Sequence, residues 1–172
     1  MVAGVTASLV LRMIGSLVGS DVAGAAPTFE FDETLQRNFK PGTAAVNEAN
    51  VLYRATRQIA ASGNEDLDLA GVLANALGAT IAAAEIVAVV IEADEANTND
   101  VRFGPAASAG ALLGFLDASD RVAVAPGDFL VHTCRRGWAV TATSADKVNV
   151  ANSGSGTVVN YTITLFGRTV VA

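Results

Sequence analysis

Residues 158–166 read VVNYTITLF, and this run gives the clearest indication of the fold. Its apolar residues Val159, Tyr161, Ile163 and Leu165 alternate with polar ones. A period of two predicts a β-strand whose apolar set faces a core. We therefore expect these four side chains to line the interior of the protein.

Outward from this run, short apolar segments recur with turn signals between them. Residues 86–91, IVAVVI, are continuously apolar and β-branched, which indicates a central strand covered on both faces. Further strands are predicted at residues 101–103, 121–125, 128–134, 138–143 and 147–152. The breaks between them are Pro126-Gly127, Arg135-Arg136-Gly137, Ser144-Ala145-Asp146 and residues 152–156. Turns at this spacing predict a mainly β chain, with an antiparallel, jelly-roll-like β-sandwich over residues 63–172.

Residues 1–62 are predicted to form an N-terminal arm and a short helical segment. Apolar and polar residues alternate over 5–14, followed by a Gly/Ala/Pro loop at 15–27 and a short alternating segment at 28–32. Residues 43–61 have helical spacing, and Thr43 is a suitable N-cap. An extended conformation for 50–60 is the alternative. The whole chain should therefore contain at most one or two short helices.

The apolar N-terminus does not match a membrane span or a secretion signal. Arg12 interrupts the apolar run, and the segment before it carries no positive charge. We interpret this segment as part of the mature protein and expect no membrane partner.

The composition favours a covered surface and argues against nucleic acid as a partner. Charged residues make up 16% of the 172 residues, well below the usual quarter, and the net charge is −6. The largest basic cluster is the pair Arg135 and Arg136, which is too small a footprint for a nucleic-acid backbone. Low charge with many apolar residues indicates that a partner covers part of the surface.

Residues suited to catalysis are scarce, and we predict that the chain is not an enzyme and needs no cofactor. His132 and Cys134 are the single histidine and cysteine, so nitrogen and sulfur ligands cannot close a tetrahedral metal site. Ser155 lies between two glycines without the longer nucleophile-elbow pattern. The turn at 94–100 is rich in Asp, Glu and Asn. It is either a solvated turn or a calcium site, although its spacing does not match an EF-hand loop.

Several segments together resemble a known group of proteins. They are GATIAAAEIVAVVI at 78–91, NTNDVRFG at 97–104, VAPGDFL at 124–130, GWAVT at 137–141, DKVNVANS at 146–153 and YTITLFG at 161–167. This succession resembles the small β-sandwich virion proteins of tailed bacteriophages, which include capsid decoration (cement) proteins and related head or tail components. The resemblance implies a structural role in the virion, favoured at the capsid surface after assembly in the host cytoplasm. It transfers no active site.

The expected partners are further copies of the chain, with a trimer favoured, and the major capsid protein or other virion proteins. A head–tail connector or tail component is the alternative within this class, and a carbohydrate-binding β-sandwich module is the alternative outside it. The candidate interface residues are Val5, Leu9, Leu11, Met13, Leu112, Leu113, Phe115, Arg135 and Arg136. For Leu112, Leu113 and Phe115, burial under the chain's own sheet is equally compatible.

Overall fold

A computed structural model describes residues 4–20, 24, 26–43 and 45–169. These residues form eleven strands: β1 (Ala7–Val18), β2 (Thr28–Pro41), β3 (Glu48–Ala49), β4 (Val51–Ile59), β5 (Asn64–Asp68), β6 (Glu85–Ala93), β7 (Val101–Pro105), β8 (Val122–Val124), β9 (Phe129–Ala139), β10 (Lys147–Asn152) and β11 (Val159–Arg168). Among the described residues, no helix is long and apolar enough to span a membrane.

Two four-stranded sheets form a sandwich, which confirms the predicted fold class. Their strand orders are β5-β10-β7-β8 and β4-β11-β6-β9, and every pairing within them is antiparallel. One buried cluster draws side chains from both sheets, including Phe103 and Val150 from the first and Ile91 and Ile163 from the second. A third sheet, β1-β2-β3, forms the N-terminal arm.

Strand β11 lies in the middle of its sheet between β4 and β6. Val159, Tyr161, Ile163 and Leu165 are at most 1% exposed, as their alternation predicts. Strand β6 is covered on both faces, because Val89 and Ile91 face the main core while Ala88 joins a second cluster on the outer face. The continuous apolar run therefore indicated its position correctly.

The helical interpretation of residues 43–61 is wrong, and the extended alternative is right for 51–59. This segment is strand β4, which pairs with β11 from Val51 to Ile59. Val51 and Tyr53 are buried while the intervening Leu52 and Arg54 are exposed, which is a period of two. Pairing with β11 overrides the local helical spacing. Residues 51–59 thus belong to the sandwich, although the sequence placed them with the arm.

The predicted break at Arg135-Arg136-Gly137 is also wrong, because β9 continues to Ala139 as a bulged strand. The register between β6 and β9 shifts between Ile86 and Ala88. Gly137 has φ +90°, and a Cβ there would lie 2.7 Å from Glu85 and 2.8 Å from Arg168. Arg168 donates to the Arg136 carbonyl at 2.6 Å and forms a buried ion pair with Glu85. The bulge therefore makes room for this pair.

Candidate assembly surface

Strands β1 and β2 form a long hairpin. Twelve residue pairs join them, from Ala7 opposite Phe39 at the root to Val18 opposite Thr28 at the far end. At about 3.3 Å per residue, the paired region is roughly 40 Å long. Residues directly opposite each other share a face of the hairpin, so the register assigns every side chain to one of two faces.

One face of the hairpin, termed here the apolar face, carries apolar residues on both strands. They are Leu9, Leu11, Met13, Leu17, Phe29, Phe31 and Leu35, and two charged residues, Glu33 opposite Met13 and Arg37 opposite Leu9, lie on the same face. Leu17 is 69% exposed, Phe29 64% and Leu35 55%. The Phe29 and Phe31 rings lie near each other, with centroids 6.3 Å apart. Soluble monomers seldom expose so many contiguous large apolar side chains, and such a surface usually marks a contact site.

The opposite face of the hairpin is mixed. Gln36 donates to Ser8 Oγ and to Asn38 Oδ1, and Arg12 donates to both carboxylate oxygens of Asp32 at 2.9 and 2.6 Å. The hydrogen bonds from Arg12 lower the pKa of Asp32 and raise that of Arg12. Exposed Val10, Ile14 and Val18 lie between these polar groups. This face can therefore remain in water more readily than the apolar face.

The root of the hairpin is anchored on the outer face of the sandwich. The Phe39 ring stacks on Phe166 of β11 with centroids 5.3 Å apart, and both join a buried cluster with Val87 and Ala88. Val5, a predicted interface residue, is buried in this cluster and donates its N–H to the Ala49 carbonyl at 3.0 Å. Val5 therefore holds the hairpin to its own sandwich.

An open groove, termed here the acceptor groove, lies between the hairpin and strand β9. Its volume is about 470 Å³. The hairpin wall includes Leu9, Leu11 and Leu35, and the β9 wall is Phe129, Val131 and Thr133. A second cavity of about 250 Å³ shares Gln36, Arg37 and Thr133 with the groove and extends it to Arg135. The predicted residues Leu9, Leu11 and Arg135 thus lie around one continuous depression.

The loop at 106–119 mainly covers the chain's own core. Leu113 is 1% exposed, and the Phe115 ring meets Phe103 edge-on at 5.9 Å, whereas Leu112 is exposed. Leu113 is therefore not available to a partner. His132 Nε2 lies 2.9 Å from the Leu113 carbonyl, and the His132 ring stacks on Trp138 at 4.4 Å. These contacts assign the single histidine to packing of this loop.

The paired arginines at the end of β9 are exposed. Neither Arg135 nor Arg136 belongs to a salt bridge within the part of the chain that the structure describes. Both guanidinium groups are thus placed to meet an acidic surface.

The acidic turn at 94–100 is tied by its own side chains to the start of β11 and to the loop before it. Asn97 exchanges two hydrogen bonds with the Asn160 backbone, at 2.9 and 2.8 Å, and Thr98 Oγ1 bonds Thr157 Oγ1. The Asp94 carboxylate accepts from the Ala96 N–H. Over the described ranges, no three His, Cys, Asp or Glu side chains converge in a way that would hold a metal ion.

A partly buried polar network of β4, β5 and β11 has a packing role. Arg57 donates to Glu65 and to the Tyr53 hydroxyl, and Tyr161 donates to Glu65 at 2.8 Å. Burial, with the hydrogen bond to Glu65, raises the pKa of Tyr161 well above its usual range. The hydrogen bond from Arg57 to Glu65 likewise raises the pKa of Arg57. The network therefore ties the ends of β4, β5 and β11 together through these hydrogen bonds.

Sequence reasoning missed the most exposed part of the apolar face. Leu17 fell in the predicted loop, and Leu35 lay beyond the short segment at 28–32. The signal that could have found them is the matched alternation of two segments flanking residues 19–27, which is typical of a hairpin.

No protein-family model and no curated protein matches the sequence. Among solved structures, the chain is similar to one from work described as "Bacillus endospore appendages form a novel family of disulfide-linked pili". The identity is 15%, the match covers 75% of this chain and 97% of that chain, and the TM-score is 0.35. A TM-score of this size does not establish a shared fold.

Proposed function

We propose that this chain is a virion structural protein, a capsid decoration or cement protein that self-associates and binds the major capsid lattice. The observation that carries this proposal is the apolar face of the hairpin, which projects from a well-packed sandwich while Leu17 and Phe29 remain about two-thirds exposed. A face of this kind is stabilised when another protein surface covers it.

The composition supports the same role. A protein that adheres through many copies benefits from contact surfaces with few charges, and this chain has 16% charged residues. The exposed Arg135 and Arg136 offer a second contact, toward an acidic partner. The location on a capsid rests on the sequence resemblance to phage virion β-sandwich proteins, and a homotrimer is the favoured assembly.

Binding to phage heads tests this function. The purified chain is mixed with heads that lack it and sedimented, and bound copies are located by electron microscopy. We expect saturable binding at regular positions on the lattice. Arg136→Glu should weaken the binding, while Arg102→Glu, which changes an exposed arginine on β7, should not.

Two outcomes would contradict the decoration role. Binding to tails or to the head–tail junction, with bare heads left unbound, would assign the chain to a connector or tail component. Absence of binding to any virion part would overturn the virion role altogether.

A further inference from the structure

The acceptor groove has two apolar walls that do not close on each other. Leu11 and Leu35 stand on one side, and Phe129 and Val131 on the other, with Phe129 still 61% exposed. Sheets in contact pack about 10 Å apart with interdigitated side chains. The open groove is therefore shaped for an additional apolar segment between the hairpin and β9.

The far end of the hairpin presents such a segment. We define the distal half as residues 13–18 and 28–33, which includes Leu17, Phe29 and Phe31 of the apolar face. Its Leu17 lies six residues, or roughly 20 Å, along the strand from Leu11 of the groove wall. Because the strands are paired along their whole length, the distal half cannot fold back onto its own root. A second copy can supply it.

The charges of these two regions are complementary. The distal half contains no basic residue, and of its three acids Glu33 lies on the apolar face while Glu30 and Asp32 lie on the opposite face. The acceptor groove and its extension are lined by Arg37 and Arg135 and by no acidic residue. Complementary potentials orient an apolar contact and suppress wrong pairings.

From these observations we infer that the acceptor groove of one copy binds the distal half of the hairpin of a second copy. The inference rests on the self-association in the proposed function and specifies its contact. Since the two surfaces are different patches of the same chain, the contact is head-to-tail. Repeating this contact from copy to copy gives a closed ring when the rotation between neighbouring copies divides a full turn, as a rotation of about 120° does for a trimer.

Charge exchange tests the pairing. Glu33→Lys and Arg37→Glu/Arg135→Glu should each weaken self-association by roughly tenfold or more, because like charges then face each other. The variant carrying all three changes restores opposite charges and should regain the wild-type mass by light scattering. Glu30 and Asp32 are left unchanged because they lie on the opposite face of the hairpin, where Asp32 is paired with Arg12.

A matched control carries one acid-to-lysine change away from both surfaces. Asp117→Lys alters an exposed residue of the loop at 106–119 and changes the net charge by the same amount as Glu33→Lys. It should keep the wild-type mass. Failure of the three-change variant to reassemble, while the control assembles, would overturn the groove as the acceptor.

Cross-linking locates the contact directly. A photoreactive benzoylphenylalanine replaces Phe31, and copies labelled with ¹⁴N and ¹⁵N are mixed before irradiation. We expect mixed-isotope products that join the Phe31 position to the tryptic peptide 122–135, which contains β9. Mixed products joining two distal halves would overturn the groove but retain self-association. A monomer that gives no mixed product would overturn this inference and the proposed self-association together.

Discussion

Strand β11 and the hairpin share the same alternation of apolar and polar residues, yet the apolar side chains are buried in β11 and exposed in the hairpin. In β11, Ile163 and Leu165 are fully buried between two sheets. In the hairpin, Leu17 and Phe29 remain about two-thirds exposed. The difference teaches that a period of two specifies a strand and its apolar side, while the layer that covers this side has to come from elsewhere. For the hairpin we propose that another protein chain supplies it.

The largest effect should come from breaking the buried ion pair of the sandwich, for which the exposed ion pair of the hairpin is the comparison. Arg168→Met leaves Glu85 buried without its guanidinium partner and should lower the free energy of unfolding by about 3–5 kcal/mol. Arg12→Met breaks the exposed pair with Asp32 in the hairpin and should leave the unfolding midpoint unchanged. Urea unfolding followed by Trp138 fluorescence measures both. Arg168→Met/Glu85→Gln should regain part of the loss, and equal effects of the two single changes would contradict the comparison.

The same leucine substitution in both regions comes next. Leu165→Ala removes a fully buried side chain and should cost about 2–5 kcal/mol of unfolding free energy. Leu17→Ala truncates a side chain that is 69% exposed and should leave the stability of dilute monomer within error. Thermal and urea unfolding at low concentration test this pair. A loss at Leu17 as large as that at Leu165 would mean that the hairpin is covered by its own sandwich.

A smaller, local effect is expected at the junction between the regions. Phe39→Ala removes the ring stacked on Phe166 and should loosen the hairpin root by about 1 kcal/mol beyond the lost burial. Amide hydrogens of residues 5–9 and 37–40 should then exchange at least roughly tenfold faster, while those of β11 keep their protection. Uniform loss of protection across β11 as well would show that the hairpin is part of the sandwich's cooperative unit.

The smallest effect concerns pH. Arg12 lowers the pKa of Asp32, so the ionised carboxylate stabilises the hairpin above the ordinary Asp pKa of about 3.9. This contribution is lost as the pH falls through the lower, folded value. Carboxyl carbon shifts in NMR should show Asp32 titrating below the usual range and returning toward it in Arg12→Met. A titration midpoint of Asp32 that Arg12→Met leaves unchanged would contradict the role of Arg12.

Local residue patterns predicted the sandwich well where alternation or continuous burial decides the structure, as in β6 and β11. They failed where distant residues decide it. Gly15 suggested a loop, yet it lies within β1, because its missing Cβ leaves space for the Phe31 ring across the strand pair; a Cβ would lie 2.2 Å from that ring. Gly137 suggested a turn, but it provides room for Glu85 and Arg168 inside a bulged strand.

The interface predictions were limited by the same cause. Leu9, Leu11 and Arg135 lie around the acceptor groove, whereas Val5 and Leu113 are buried within the chain. Sequence alone could not separate these cases, because each depends on which element packs against the residue. The exposed distal residues became visible only once the register of β1 against β2 was known.

Light scattering of the full chain over a concentration series tests the central claim most directly, with Leu17→Ser/Phe29→Ser/Phe31→Ser as the comparison. We predict a defined oligomer for the wild type and a folded monomer with an unchanged unfolding midpoint for the variant. A wild type that stays monomeric at all concentrations, or a variant that keeps the wild-type mass, would contradict the claim that the apolar face of the hairpin drives assembly.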